Sequence, residues 1–215
     1  MPIKYDSREY RKIDAAEMET RTGENGEMVV EGYATTFNMP YRLAGDDKIT
    51  INEQVDRNAF KDTDMSDVIM QYDHEGRVFA RIANGTLQLE EDDHGLKITA
   101  NLGGTEIGRQ LFEEIQGGYT NKMSFGFTVA DDRKERSKDA EGHVTVLRTI
   151  TKIGKLFDVS AVSLPANDAT EISSRAISDG LIAEAQEEIR AEEERQRRIG
   201  EIRKILNQED VNHDE

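Results

Sequence analysis

Residues 119–130 read Tyr-Thr-Asn-Lys-Met-Ser-Phe-Gly-Phe-Thr-Val-Ala. Met123, Phe125, Phe127 and Val129 alternate with Ser124, Gly126 and Thr128. A period of two belongs to a strand with one face buried. This constrains the fold strongly, because a one-residue slip would turn four large apolar side chains to the wrong face. Gly126 has no side chain to pack inside a strand, so it marks a bulge or a place where another group comes close. Ser124 beside it reads either as a plain solvent-facing strand serine or as a nucleophile with space kept clear around it. Residues elsewhere in the chain decide between these.

The same periodicity predicts strands over 28–37, 67–72, 78–83, 87–89, 96–102, 144–153 and 156–164, and a shorter one over 48–51. A first strand falls at 3–5 or at 10–13. Asn84-Gly85 and Asp93-His94-Gly95 supply hairpin turns. Residues 41–47 and 131–142 read as polar or charged loops. Asp56 caps a helical turn over 56–60.

The period changes at residues 105–116, where Ile107, Leu111, Phe112 and Ile115 share one helical face. Thr105 is the expected N-cap, Glu106 suits the positive helix end, and Gly117-Gly118 stop the helix. Seven or more strands with one internal helix predict a mainly β chain with helices (α+β), an antiparallel barrel or sandwich. We divide it into a β domain over 1–175 and a charged helical tail over 176–215. In that tail, 181–206 is rich in Glu, Arg, Ala and Gln, with Ile199, Ile202 and Leu206 as a narrow apolar stripe. It reads as a solvated helix or as a docking arm for a partner. The small, polar segment 167–180 reads as loosely held and open to cleavage.

The 215 residues carry a net charge of −16, which opposes binding to phosphate backbones, so no nucleic-acid partner is expected. There is no cysteine, which removes disulfides, thiolate chemistry and Cys-ligated zinc. Residues 1–10 lack the apolar core of a signal peptide, and no apolar run has the length of a membrane span. A cytoplasmic protein without a membrane partner is therefore expected.

Three residues with chemical capability sit in or at the end of apolar strands. His74 closes the strand over 67–72, Ser124 lies in 119–130, and Asp158 lies in 156–164. Each alone has an ordinary reading, as a turn histidine or as outward strand residues. Together they hold the parts of an activated serine: a nucleophile, a base, and an acceptor that fixes the base's tautomer. His94 and His143 read as exposed turn residues, and His213 lies in the acidic tail. Asp73, His74 and Glu75 are adjacent on an extended chain and point apart, which makes a poor metal site. No cofactor motif is present, and neither cofactor nor metal is expected.

The segments combine into a familiar order. Glu31-Gly32-Tyr33-Ala34 and Phe37-Asn38 come first, then Asn58-Ala59-Phe60, His74 and Arg81-Ile82. Asp93-His94-Gly95-Leu96 and Met123-Ser124-Phe125-Gly126-Phe127 follow. The last block runs from Leu156-Phe157-Asp158 to Pro165-Ala166-Asn167. This resembles the prohead (capsid-maturation) serine proteases of tailed bacteriophages, relatives of the herpesvirus assemblins. The resemblance covers about residues 31–176. It implies a β-barrel of the herpesvirus-protease type and a serine endopeptidase acting inside the assembling prohead in the host cytoplasm. It implies scaffold and major capsid protein as substrates, and self-cleavage. By position, His74 matches the family's histidine and Ser124 its serine. Asp158 falls where the family usually has glutamate and the herpesvirus enzymes a second histidine. Asp73 is the alternative for that role. The rival reading is a non-catalytic, scaffold-binding component of the prohead.

Overall fold

The computed structural model describes residues 8–13, 18–162 and 168–211, without the side chains of 12–13, 168–176 and 205–211. The strands are β1 (Glu9–Ile13), β2 (Glu19–Thr22), β3 (Met28–Thr36), β4 (Tyr41–Gly45), β5 (Ile49–Val55), β6 (Ile69–Tyr72), β7 (Glu75–Arg81), β8 (Leu87–Glu91), β9 (Gly95–Asn101), β10 (Lys122–Lys138) and β11 (Val144–Val162). The helices are α1 (Glu106–Gln116) and α2 (Asp168–Val211). Of the two places for a first strand, 10–13 falls within β1, and 3–5 lies outside the described residues.

A long hairpin of β10 and β11 carries the larger, seven-stranded sheet. Its main order is β1-β10-β11-β5-β4, and β6 and β7 attach at the far end of β11. The first part of β11 pairs with β5 and its last part with β6, both in parallel. Antiparallel pairing was expected throughout. The parallel pairs join strands distant in sequence, which alternation within single strands does not reveal. The second sheet runs β2-β3-β9-β8, all antiparallel. The described strands thus form two sheets rather than one closed ladder. A shared core lies between them, with Val30, Ala34, Ile98 and Ala100 from the smaller sheet against Met70, Phe125, Phe127 and Ile150 from the larger. Phe125 and Phe127 stack at 4.4 Å between ring centroids. Burying such side chains contributes about 1.5–3 kcal/mol each.

α1 forms as its sequence dictates. The Gly108 N–H donates to Thr105 Oγ1 at 3.1 Å, and Leu111, Phe112 and Ile115 are buried. Gly118 takes the positive φ (75°) that ends the helix region.

Two expected loops are strands. Residues 41–45 form β4, and 131–138 continue β10 along β11. Charge misled there. Asp132 turns inward to Arg148, and Lys134 and Arg136 pair with Glu184 and Glu188 of α2. The tail also differs. α2 begins at Asp168, and Ile177, Leu181 and Ala185 bury against Ile49, Ile51, Val144 and Val146. Their four-residue spacing makes one helical stripe. Residues 177–185 are therefore held against the sheet rather than loose. Farther along, Ile202 is 56% exposed, while the Leu206 side chain lies outside the described residues. No described helix is long and apolar enough to cross a membrane.

Candidate active site

His74 is set by a tight turn. Two residues, Asp73 and His74, join β6 to β7, and Tyr72 pairs with Glu75 across them. Both take positive φ, 47° and 60°, as a two-residue type I′ hairpin requires. Such conformations cost non-glycine residues about 1–3 kcal/mol each and gather at functional sites. Asn-Gly would relieve the strain but would carry no imidazole. The Asp73 N–H donates to the Ala161 carbonyl at 3.0 Å, which ties the turn to β11.

Ser124 and Asp158 come from the central hairpin. Gly126 lies opposite Asp158 and Ser124 opposite Ser160. These four therefore share one face of the two strands. β6 runs along the other side of β11, with Ile69 opposite Asp158, and so delivers the turn to this face.

The sequence-predicted residues meet. His74 Nε2 lies 2.5 Å from Ser124 Oγ, and His74 Nδ1 lies 2.5 Å from Asp158 Oδ1. Asp158 supplies the contact at Nδ1 rather than Asp73. A carboxylate at Nδ1 makes that nitrogen the donor and leaves Nε2 to accept the Ser124 proton. Ser160 Oγ donates to Asp158 Oδ1 at 2.8 Å, and the Arg8 guanidinium pairs with Oδ2. Burial pushes the Asp158 carboxyl up. The His74 hydrogen bond and charge, Arg8 and the Ser160 hydroxyl outweigh it and hold the group below the usual carboxylate range. It is therefore ionised at neutral pH.

Gly126 has the role its sequence position implied. A Cβ there would run into Asp158, the Tyr10 ring and Arg8. Sequence reasoning missed Ser160, Arg8 and Tyr10. Ser160 was within reach, since it lies two residues from Asp158 on the same strand face. Arg8 and Tyr10 arrive by pairing of a distant segment, which local pattern does not show.

The other histidines stand apart from this cluster. His94 is exposed, with its ring against Tyr33. His143 is half-buried rather than exposed, and its ring nitrogens meet Thr50 Oγ1 at 2.9 Å and the Asp47 carbonyl at 3.1 Å. His213 lies outside the described residues. Among the described residues no group of three or more His, Asp or Glu is placed to hold a metal.

Among solved structures the chain is similar to the capsid assembly protease gp21 of bacteriophage T4. Identity is 11% and the TM-score is 0.42, over 73% of this chain and 99% of that one. Curated protein sequences give no match. A family model described as Caudovirus prohead serine protease matches residues 15–182, a span that holds His74, Ser124 and Asp158. The chain belongs to the caudovirus prohead serine protease family.

Proposed function

We propose that this chain is a serine endopeptidase of prohead maturation, with Ser124 as nucleophile, His74 as base and acid, and Asp158 as the group that orients His74. The observation that carries this reading is the unbroken contact from Ser124 through His74 to Asp158, at 2.5 Å on both sides of the imidazole. Ser124 Oγ attacks the scissile carbonyl while His74 Nε2 takes its proton. Asp158 stabilises the imidazolium, which then gives the proton to the leaving amine. Water hydrolyses the acyl-enzyme with the same base, and Ser124 is restored. Backbone amides near Ser124 are the natural donors to the oxyanion.

The substrates on this reading are the phage scaffold, the scaffolding segment of the major capsid protein, and the protease itself. Membership of the prohead protease family supports that substrate class. We read the two packed sheets as the barrel of the herpesvirus-protease type. Residues 1–175 are the protease unit and 176–215 its charged tail, whose first turns lie against the sheet. Co-expression with the phage's scaffold and capsid proteins, followed by mass spectrometry of the products, tests the reading. New termini are expected with the wild-type chain and none with Ser124→Ala. Identical products from both would leave a scaffold-binding role instead.

A further inference from the structure

A groove opens beside the turn that carries His74. It lies between β7 and α1 and holds about 390 Å³. That is at the small end of ligand pockets, so it suits side chains of an extended peptide rather than a folded partner. Glu75, Arg77 and Phe79, alternate residues of β7, line one wall. Ile107, Leu111 and Glu114 share one face of α1 and line the other. Leu111 is buried, and Phe79 and Ile107 are half-buried, whereas the three charged side chains are exposed. The floor is thus apolar and the rim charged.

The groove adjoins the candidate site. Tyr72, which also lines it, and Glu75 are the pair that flanks the Asp73-His74 turn. Tyr72 and Met123 are both opposite Ala161, so the turn lies at the end of the sheet where the chain passes from α1 into β10. The negative end of α1 is therefore near the turn. The field of Glu75 extends to the groups around His74. The Tyr10 ring lies 4.5 Å from the His74 ring. Burial pushes the Tyr10 hydroxyl up, Arg8 opposes the rise, and the Asp158 and Glu75 carboxylates add to it.

We propose, resting on the serine endopeptidase reading above, that the groove between β7 and α1 is a substrate subsite that takes a lysine or arginine side chain of the peptide to be cut. Two carboxylates and the negative end of a helix outweigh the single guanidinium of Arg77. Among the described residues none of Glu75, Arg77 and Glu114 has an ion-pair partner, so a bound cation displaces no existing pair. Lysine and arginine lay an aliphatic stem along an apolar floor and keep the charged head at a polar rim. The groove wall begins one residue from His74, whose Nε2 meets Ser124 Oγ at 2.5 Å. An extended peptide advances about 3.3 Å per residue, so the cationic side chain stands about two to four residues from the scissile bond.

The test gives the full-length chain a pool of peptides from a digested proteome, and the cut sites are read by mass spectrometry, with Ser124→Ala as control. Lysine or arginine should be enriched at one position within that range. A peptide that is cut well is then made with lysine, glutamine or glutamate at that position. The wild type should prefer the lysine form over the glutamine form roughly fivefold in kcat/KM, with the difference in KM, as suits a rim-exposed ion pair. Glu75→Gln/Glu114→Gln should cut these two forms equally, and Glu75→Lys/Glu114→Lys should turn the preference toward glutamate. Each value is a ratio within one chain, so a loss of folded protein does not alter it. Cleavage that needs Ser124 but shows no basic preference, or a preference that both variants keep, overturns the proposal and leaves the enzymatic reading intact. Cleavage that persists in Ser124→Ala removes that reading and the proposal with it.

Discussion

Asp158→Asn separates the orienting role of Asp158 from its mere presence. Asp158 has two differently engaged oxygens. Oδ1 faces His74 Nδ1 and the Ser160 hydroxyl, and Oδ2 faces the Arg8 guanidinium. Asparagine offers one acceptor and one donor. With its oxygen toward His74, its amide group opposes Arg8, donor against donor. With the amide flipped, Arg8 is satisfied, but His74 Nδ1 must accept and Nε2 must carry the proton. That tautomer cannot take a proton from Ser124. Arg8 favours the second arrangement. In the Ser-His-Asp template the corresponding change lowers turnover by about four orders of magnitude, roughly 5 kcal/mol of transition-state stabilisation.

The structure adds that Arg8 sets part of the loss. In an Arg8→Met background the amide can face away from His74 and the working tautomer returns. Relieving an unsatisfied polar contact contributes about 1–3 kcal/mol, so the Asn lesion should shrink by roughly tenfold or more. Cleavage rates of the four chains give the comparison, and imidazole nitrogen shifts read the tautomer directly. An equal loss in both backgrounds refutes the tautomer argument. Wild-type turnover in Asp158→Asn, with a loss in Asp73→Asn, would move the orienting role to Asp73.

Other predictions concern the nucleophile, the buried charges and the tail. Ser124→Ala and His74→Ala should each abolish cleavage, and the double variant should be no worse, because the two act as one unit; measurable additivity in single-turnover rates would argue against this. Burial pushes Glu53 up, but Arg11, Arg148 and the Tyr41 hydroxyl outweigh it and hold it down at about 2, against an ordinary 4.5. A depressed carboxyl stabilises the fold above its unfolded value and loses that effect as pH falls, here between about pH 4.5 and 2. The loss amounts to about 3 kcal/mol, and urea titrations should show it in the wild type but not in Glu53→Gln. Truncation after Ala176 strips Ile177 and Leu181 from Ile49, Ile51, Val144 and Val146, and should cost about 3–6 kcal/mol in the same titrations. Truncation after Gln196 should leave the midpoint almost unchanged.

The sequence carried the parts of the site better than their setting. Alternation around Ser124 and Asp158 placed both on strands, and the apolar run before His74 placed it at a strand end. Gly126 pointed to a close approach, which Asp158, Tyr10 and Arg8 make. Pairing between distant strands leaves no local period, so neither the parallel neighbours of β11 nor the place of β1 was legible. Charge hid the outer half of β10, because a solvent-exposed ribbon needs no apolar alternation. Ile177, Leu181 and Ala185 did form a helical stripe, but the small and polar residues around them read as a loose connector.

The central claim is that Ser124 is a nucleophile activated by His74. Exposing the full-length chain to a fluorophosphonate and mapping the adduct by peptide mass spectrometry tests it most directly. The account predicts a single adduct on Ser124 that is absent from His74→Ala. A chain that cleaves its capsid partners yet carries the adduct on another residue, or retains it on Ser124 without His74, would contradict it.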